Sequence, residues 1–347
     1  MSPYIIMIIS LSLLLGTSLT LFSNHWLMAW MGLEINTLAI IPMMTHPNNM
    51  RNTESAIKYF LMQATASMII MFAIIYNAWS TNQWTLLQVS NDWSTMLMTI
   101  ALAMKLGLAP FHFWVPEVTQ GIPLMSGMIM LTWQKIAPTS ILYQISPSLN
   151  VNMLMTMAIS SALLGGWGGL NQTHLRKIMA YSSIAHMGWM TVIVLINPSL
   201  TILNLLIYIA ATLTMFLSLN LVSITKINTL STLWNKSTPI TIIIMITLLS
   251  LGGLPPLTGF MPKWLILQEL TTHNNATAAT LLALSALLNL FFYMRMIYTS
   301  TLTMFPSNNS SKFQWFHPPS KLTLLIPSMA VISAMLLPLT PLVINLT

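Results

Sequence analysis

Glu34, Lys105, Lys135 and Lys263 are ionisable residues near the middle of long apolar stretches. At the centre of a membrane helix each costs roughly 2.5–3.5 kcal/mol on insertion scales. Lys105 lies about a dozen residues into its stretch, a rise of about 18 Å, farther than a lysine side chain can snorkel. These groups must face partners or a wet cavity inside a helix bundle. Burial disfavours the charged form of such a group, and a nearby opposite charge favours it. Groups held between those tendencies exchange protons when a neighbour moves. Three lysines against one glutamate leave base that simple pairing cannot neutralise, so the pattern points to a proton relay. The structural alternative is a set of ion pairs, such as Glu34 with Lys105, that only fix helix register.

Three further residues are candidates. His186 stands in YSSIAHMGWM, where Tyr181, Ser182 and Ser183 add polar groups on adjacent turns. His112 and Glu117 stand in GLAPFHFWVPE. A lone histidine in a helix is more often a hydrogen-bonded packing residue than a proton carrier. Glu117 is expected to mark a helix end rather than to carry protons. His25, His46, His174, His273 and His317 fall in polar loops and are read as interfacial.

What must position these residues is a lipid-soluble bundle. Of the 347 residues 55% are hydrophobic and only 5% are charged, with a mean hydropathy of +0.76. A soluble domain carries about a quarter charged residues, so too few are available here to cover a surface in water. The net charge of +7 comes from twelve basic residues scattered along the chain, which form no nucleic-acid stripe. Cysteine is absent, which excludes disulfides, thiolate metal sites and cysteine-ligated iron–sulfur clusters. No GxGxxG or P-loop turn is present either. Neither a bound cofactor nor a metal is expected, and any linked redox chemistry belongs to another chain.

The expected fold is an all-α polytopic membrane protein of about eleven helices. Apolar windows long enough for a ~30 Å hydrocarbon layer run over 3–22, 25–44, 55–79, 93–117, 122–146, 151–171, 174–196, 199–224, 238–270, 276–305 and 322–346. The first lacks the basic leader of a signal peptide and reads as a retained span. With this count Arg51, Lys58, Arg176, Lys177, Lys226, Lys236, Lys312 and Lys321 share one side with the N-terminus. The opposite loops hold only Asp92 and, near a helix end, Glu269. That is the positive-inside asymmetry, with the N-terminus interior and the C-terminus on the other face.

Two stretches match: GLAPFHFWVPE at 107–117 and GLPPLTGFMPK at 253–263. Both read G-L-x-P, then five residues, then proline and a charge. The match divides the single membrane domain (1–347) into repeat units 1–147 and 150–305, followed by a polar connection at 306–321 and a C-terminal helix at 322–346. Each unit holds five spans, an odd number, so the second is inverted. Inverted repeats with paired interrupted helices recur in transporters, with ion sites near the breaks. Glu117 and Lys263 then lie toward opposite faces of the membrane.

At these residues the chain resembles the antiporter-like membrane subunits of respiratory complex I. The motifs are MGLEINTLAIIP, KLGLAPFHFWVPEVTQG, TWQKIAP, AYSSIAHMGW and LGGLPPLTGFMPKW. Thirty methionines without a cysteine resemble the composition of chains encoded in animal mitochondria. The resemblance implies a subunit of a proton-pumping enzyme whose redox centres lie in other subunits. NADH and ubiquinone would be substrates of the assembled complex. The implied partners are other membrane-arm subunits and the bilayer, with no nucleic acid, and the chain is not expected to work alone. The implied location is the mitochondrial inner membrane, N-terminus in the matrix and C-terminus toward the intermembrane space. Glu34 would couple to a neighbouring subunit, Lys105 would be the central lysine of the first half-channel, Lys135 the connecting lysine, and Lys263 the lysine of the second interrupted helix. One departure stands out: the eighth span, NLLIYIAATLTMFLSLN, lacks the lysine or histidine many relatives carry there. Water, serines or threonines, or His186 would then join Lys135 to Lys263. A stand-alone cation/proton antiporter and a purely structural subunit are the competing readings.

Overall fold

The computed structural model describes residues 2–89, 91–235, 237–302 and 325–340. Lys236, Lys312, His317 and Lys321, the 306–321 connection and both ends of the 322–346 span lie outside the described residues. Regular structure among those described is helical. Two isolated bridging pairs, His25 with Thr85 and His174 with Lys226, staple loops at the helix ends.

The unbroken helices come first. They are α1 (Pro3–Phe22), α2 (Trp26–Thr45) and α3 (Met50–Thr81), each of length and apolarity sufficient to cross a membrane. Two later ones, α10 (Pro198–Val222) and α14 (Ala276–Thr301), meet the same measure. Proline opens α1 and α10, at a position whose N–H has no helical partner to lose. α8 (Val151–Gly169) and α9 (Leu175–Val194) fill the windows expected at 151–171 and 174–196.

The remaining windows are interrupted. Residues 93–117 form α4 (Asp92–Leu106) and α5 (Trp114–Gly121). The window at 122–146, expected as one helix, is split into α6 (Leu124–Leu131), a 3₁₀ turn at Trp133–Lys135 and α7 (Ile136–Ile145). After the short α11 (Ile227–Leu230), residues 238–270 form α12 (Thr238–Gly252) and α13 (Phe260–Thr272). α15 (Leu325–Met335) and a 3₁₀ turn at Leu337–Leu339 are the described part of the last window.

Lipid as solvent explains what is outside and what is inside. Tyr4, Ile8, Phe72, Leu284 and Phe291 are exposed, whereas Asn36, Gln63, Asn77, Asn204 and Asn289 are buried. α9 is the central helix, with every residue from Ile178 to Val194 buried except Tyr181. It lies against α8 across small residues: a Cβ on Gly188 would sit 2.7 Å from the Ala158 carbonyl oxygen. Such close backbone approach replaces the hydrophobic drive that lipid cannot supply.

Candidate functional site

The two breaks are built alike. Gly107 and Gly253 end α4 and α12 in the left-handed region, φ +74° and +78°, which favours glycine. Leu108 and Leu254 then donate N–H bonds back to Ala103 O and Leu249 O, at 2.9 and 3.3 Å. Pro116 and Pro262 each stand third in the helix that follows, within the first turn, where a missing N–H costs nothing. Each boundary of the second break lies at the same sequence offset from its counterpart in the first. The paired interruption expected from the sequence is present in detail.

A broken helix leaves carbonyls without helical donors, and these are satisfied by side chains and lysines. At the first break Trp114 Nε1 donates to Met104 O (3.2 Å) and Gln63 Nε2 to Lys105 O (3.4 Å). At the second, Lys263 Nζ donates to Gly252 O (2.9 Å) and Leu251 O (3.4 Å). The second interruption thus seats its own lysine on the carbonyls it frees.

Lys135 sits on a third irregularity. Pro138 lacks the N–H that would bond to residue 134, and the chain ahead of it tightens into the 3₁₀ turn. Lys135 N–H goes to Thr132 O (3.3 Å) instead of Leu131 O. The Tyr208 hydroxyl of α10 donates to the released Leu131 carbonyl at 3.1 Å. The Lys135 ammonium lies 5.2 Å from the centre of the Tyr208 ring and donates to Ser183 O of α9 at 3.4 Å. The ring attracts the cation through its quadrupole. His186 packs against the same Tyr208, 5.4 Å between ring centres.

Two small chambers, apolar over most of their walls with polar groups set into them, flank the junction. The first, about 20 Å³, is lined by Asn36, Tyr59, Gln63, Lys105, Gln134 and Lys135. The second, about 10 Å³, is lined by His186, Asn204, Tyr208, Ser250 and Lys263. Each is about the size one water occupies. Lys105 Nζ, both polar atoms of the Asn36 side chain and His186 Nε2 are buried without a protein partner. Such groups are tolerated where hydrogen-bonding solvent reaches them. Glu34 is half-buried on α2, receives the Thr37 hydroxyl, and acts electrostatically on Lys105 and Tyr59.

The structure therefore gathers Lys105 and Lys135 in one chamber and His186 and Lys263 in another, while Glu34 lines neither and bears on Lys105 through its charge from α2. It does not gather His112 or Glu117 with them. His112 is buried against Phe113, ring centres 4.2 Å apart, and lines neither chamber. Glu117 pairs with Lys58 of α3 at 2.9 Å, and Lys58 also holds Glu54 at 2.9 Å. With side chains 57% and 44% exposed, Glu117 and Lys58 are screened by solvent, and the pair tethers α5 to α3 only weakly. Glu117→Gln is expected to leave both the thermal midpoint and the transport activity within error of the parent, as differential scanning and proton uptake can check. Among the described residues none of the three buried lysines forms an ion pair, and no cluster of acids and histidines gathers at metal-ligand spacing.

Tyr208 is the residue sequence reasoning passed over. The expectation for span eight rests on lysine or histidine, and Tyr208 supplies an aromatic hydroxyl there instead. Its signal was present in LNLLIYIAAT, where Asn204 and Tyr208 stand four apart on one helical face.

Comparisons with known proteins bear on what this arrangement serves. Residues 23–291 match the family described as NADH:quinone oxidoreductase/Mrp antiporter, transmembrane. Residues 290–344 match the family described as NADH dehydrogenase subunit 2 C-terminus. NADH-ubiquinone oxidoreductase chain 2 of Osphranter robustus is 74% identical over 346 residues, covering 100% of this chain and 99% of that one. A chain of respiratory complex I from Thermus thermophilus with bound aureothin superposes with a TM-score of 0.87 at 25% identity, over 97% of this chain and 78% of the other. A chain of the Mrp complex from a Dietzia species shares the fold, with a TM-score of 0.86 at 15% identity over 97% of this chain and 76% of the other.

Proposed function

Because the chain belongs to the NADH:quinone oxidoreductase/Mrp antiporter family, on its chain 2 branch, we propose that it is a complex I membrane-arm subunit that moves protons while other subunits pass electrons from NADH to ubiquinone. What supports this reading is the succession of buried polar side chains between the Lys105 chamber and the Lys263 chamber, with Lys135, Tyr208 and His186 packed between them.

Glu34 senses charge from a neighbouring subunit and biases Lys105. Lys105 and Lys135 share a chamber in which a proton passes by way of hydrogen-bonding solvent. Tyr208 and His186 stand where the missing lysine of span eight would act, and Lys263 is the terminal carrier. A change of charge on one group alters the proton affinity of the next, so the series titrates as a coupled set. Units 1–147 and 150–305 form two inverted halves joined at this junction. The equivalence of the two breaks in cap, hydrogen bonding and spacing supports that division.

Arg51, Arg176, Lys177 and Lys226 lie close enough together to act jointly on His174, which supports one strongly basic face. We assign that face to the matrix of the mitochondrial inner membrane, with the N-terminus on the same side and the C-terminus toward the intermembrane space. The subunit works within the assembly, binds no cofactor of its own, and meets lipid and other membrane-arm subunits.

The test is Lys263→Met in the assembled complex, reconstituted in vesicles, with protons moved per NADH oxidised as the readout. The ratio is expected to fall while the subunit composition stays normal. An unchanged ratio refutes the relay and leaves a structural role. Activity of the purified chain alone as a cation/proton exchanger, without a redox assembly, supports the antiporter reading instead.

A further inference from the structure

The segment between α12 and α13 is tied to a helix far along the chain. Thr258, fully buried, stands there at the place His112 holds in the first break. Val115 N–H donates to His112 O (3.1 Å), and in the same register Met261 N–H donates to Thr258 O (3.2 Å). The side chains differ. The His112 ring packs on Phe113, its Nδ1 without a partner, whereas the Thr258 hydroxyl donates to Ser333 O of α15. The neighbouring hydroxyls of α12 stay at home: Thr247 and Ser250 donate one turn back in their own helix, to Ile244 O (2.9 Å) and Thr247 O (2.8 Å).

The acceptor is free for a reason. Ser333 is among the last residues of α15, whose final carbonyls have no donor in their own helix, and Pro338 soon after brings no N–H. Ser333 is buried, as is Ile326 two turns earlier, while Leu325, Val331 and Met335 are exposed. One face of α15 is thus turned inward, where the helix packs on α10 and α12. A buried carbonyl stripped of its donor costs more than the bond itself is worth, so the contact is hard to give up.

What the bond holds is a wall of the Lys263 chamber. Gly259 and Pro262, just after Thr258, line that chamber with Ser250 and Leu251 of α12. Lys263 donates to Gly252 O and Leu251 O and lies so close to Gly253 that a Cβ there would meet Nζ at 2.9 Å. Leu257 N–H to Leu254 O (3.0 Å) and Phe260 N–H to Leu257 O (3.1 Å) span three residues each, so they shape the turn without anchoring it. We propose that α15 clamps the second break, and that Thr258, through Ser333 O, is a positioning residue that keeps α13 against α12 and Lys263 on its carbonyls. The inference rests on the reading of Lys263 as the terminal carrier. Thr258 lines neither chamber and carries no proton itself.

The test compares Thr258→Val, which keeps the shape and loses the hydroxyl, with Thr258→Ser, which keeps the hydroxyl, both in the assembled complex. Hydrogen exchange of peptides covering 257–263 reads the break, and protons moved per NADH oxidised read the carrier. Valine is expected to speed exchange at the Phe260 and Met261 N–H groups about tenfold, the worth of one buried hydrogen bond. It should also lower the proton ratio at normal subunit composition, and serine should restore both. Lys263→Met alone and combined with Thr258→Val should give the same ratio, because Thr258 acts through that lysine. If valine prevents assembly, Thr258→Ala, smaller and equally without a hydroxyl, takes its place. Unchanged exchange in the variant lacking the hydroxyl overturns the clamp, whatever the pumping does. Faster exchange with an unchanged ratio, where Lys263→Met lowers it, overturns the positioning role. A further fall in the double variant overturns action through Lys263. Exchange is read without pumping, so a failure of the relay itself shows in Lys263→Met and not there.

Discussion

Replacing Lys135 by methionine will stop proton translocation while the complex still assembles. The protein contacts of the Lys135 ammonium are Ser183 O at 3.4 Å and the Tyr208 ring at 5.2 Å, with no carboxylate partner among the described residues. Removing such a charge strands no counter-ion, and an apolar side chain of similar volume is tolerated in a buried site to within about 1.5 kcal/mol. The fold therefore survives. The relay does not, because methionine neither accepts nor releases a proton between the Lys105 chamber and His186. Positioned acid–base groups typically contribute about 10²–10⁴-fold, so translocation should fall by at least about a hundredfold. Lys135→Arg separates two roles that methionine confounds. Arginine keeps a cation over Tyr208 but does not deprotonate in proteins. A carrier role predicts failure of both variants, whereas a fixed-charge role predicts that arginine restores pumping. Protons moved per NADH oxidised decides it, and a normal ratio in the methionine variant sinks the relay.

Much of this site is written locally. Gly107, Pro110 and Pro116, like Gly253, Pro256 and Pro262, specify the breaks through backbone chemistry that needs no knowledge of the rest of the chain. The cost of burying Lys105, Lys135 and Lys263 was legible for the same reason. What was not legible depends on which helices meet. TWQKIAP contains the proline that unwinds the turn at Lys135, yet the window around it is apolar enough to read as one helix. Tyr208 acquires its place only because α10 crosses beside the Leu131 carbonyl freed by that turn. Glu117 is expected at a helix end rather than in the buried line, but its partner was not foreseeable. Its partner, Lys58, is supplied by another helix at the bundle surface. The offset between the two breaks carried over to the helix boundaries because both are fixed by the same small set of residues.

The second large effect is structural and falls on Gly259. Its backbone, φ −64° and ψ −14°, suits any residue, so conformational freedom is not why glycine stands there. The reason is contact: a Cβ on Gly259 would lie 1.7 Å from Ser250 O and 2.7 Å from the Ser250 carbonyl carbon. Backbone cannot rotate away as a side chain can, so α13 must be displaced from α12. Lys263 follows one turn later and is held on Gly252 O and Leu251 O of that same helix end. A shift large enough to relieve the clash also lifts the lysine off the carbonyls that seat it. Gly259→Ala is therefore expected to cost about 3 kcal/mol or more, at the upper end of what overpacking costs, because the atom it meets is backbone. The measurement is the amount of assembled complex and its thermal midpoint. Gly127→Ala is the matched control: its added Cβ meets nothing nearer than 3.7 Å, inside a helix where alanine is the better former. Equal assembly of the two variants would show that the second break can open without cost. Loss confined to Gly259→Ala ties the position of Lys263 to the contact between the two half-helices.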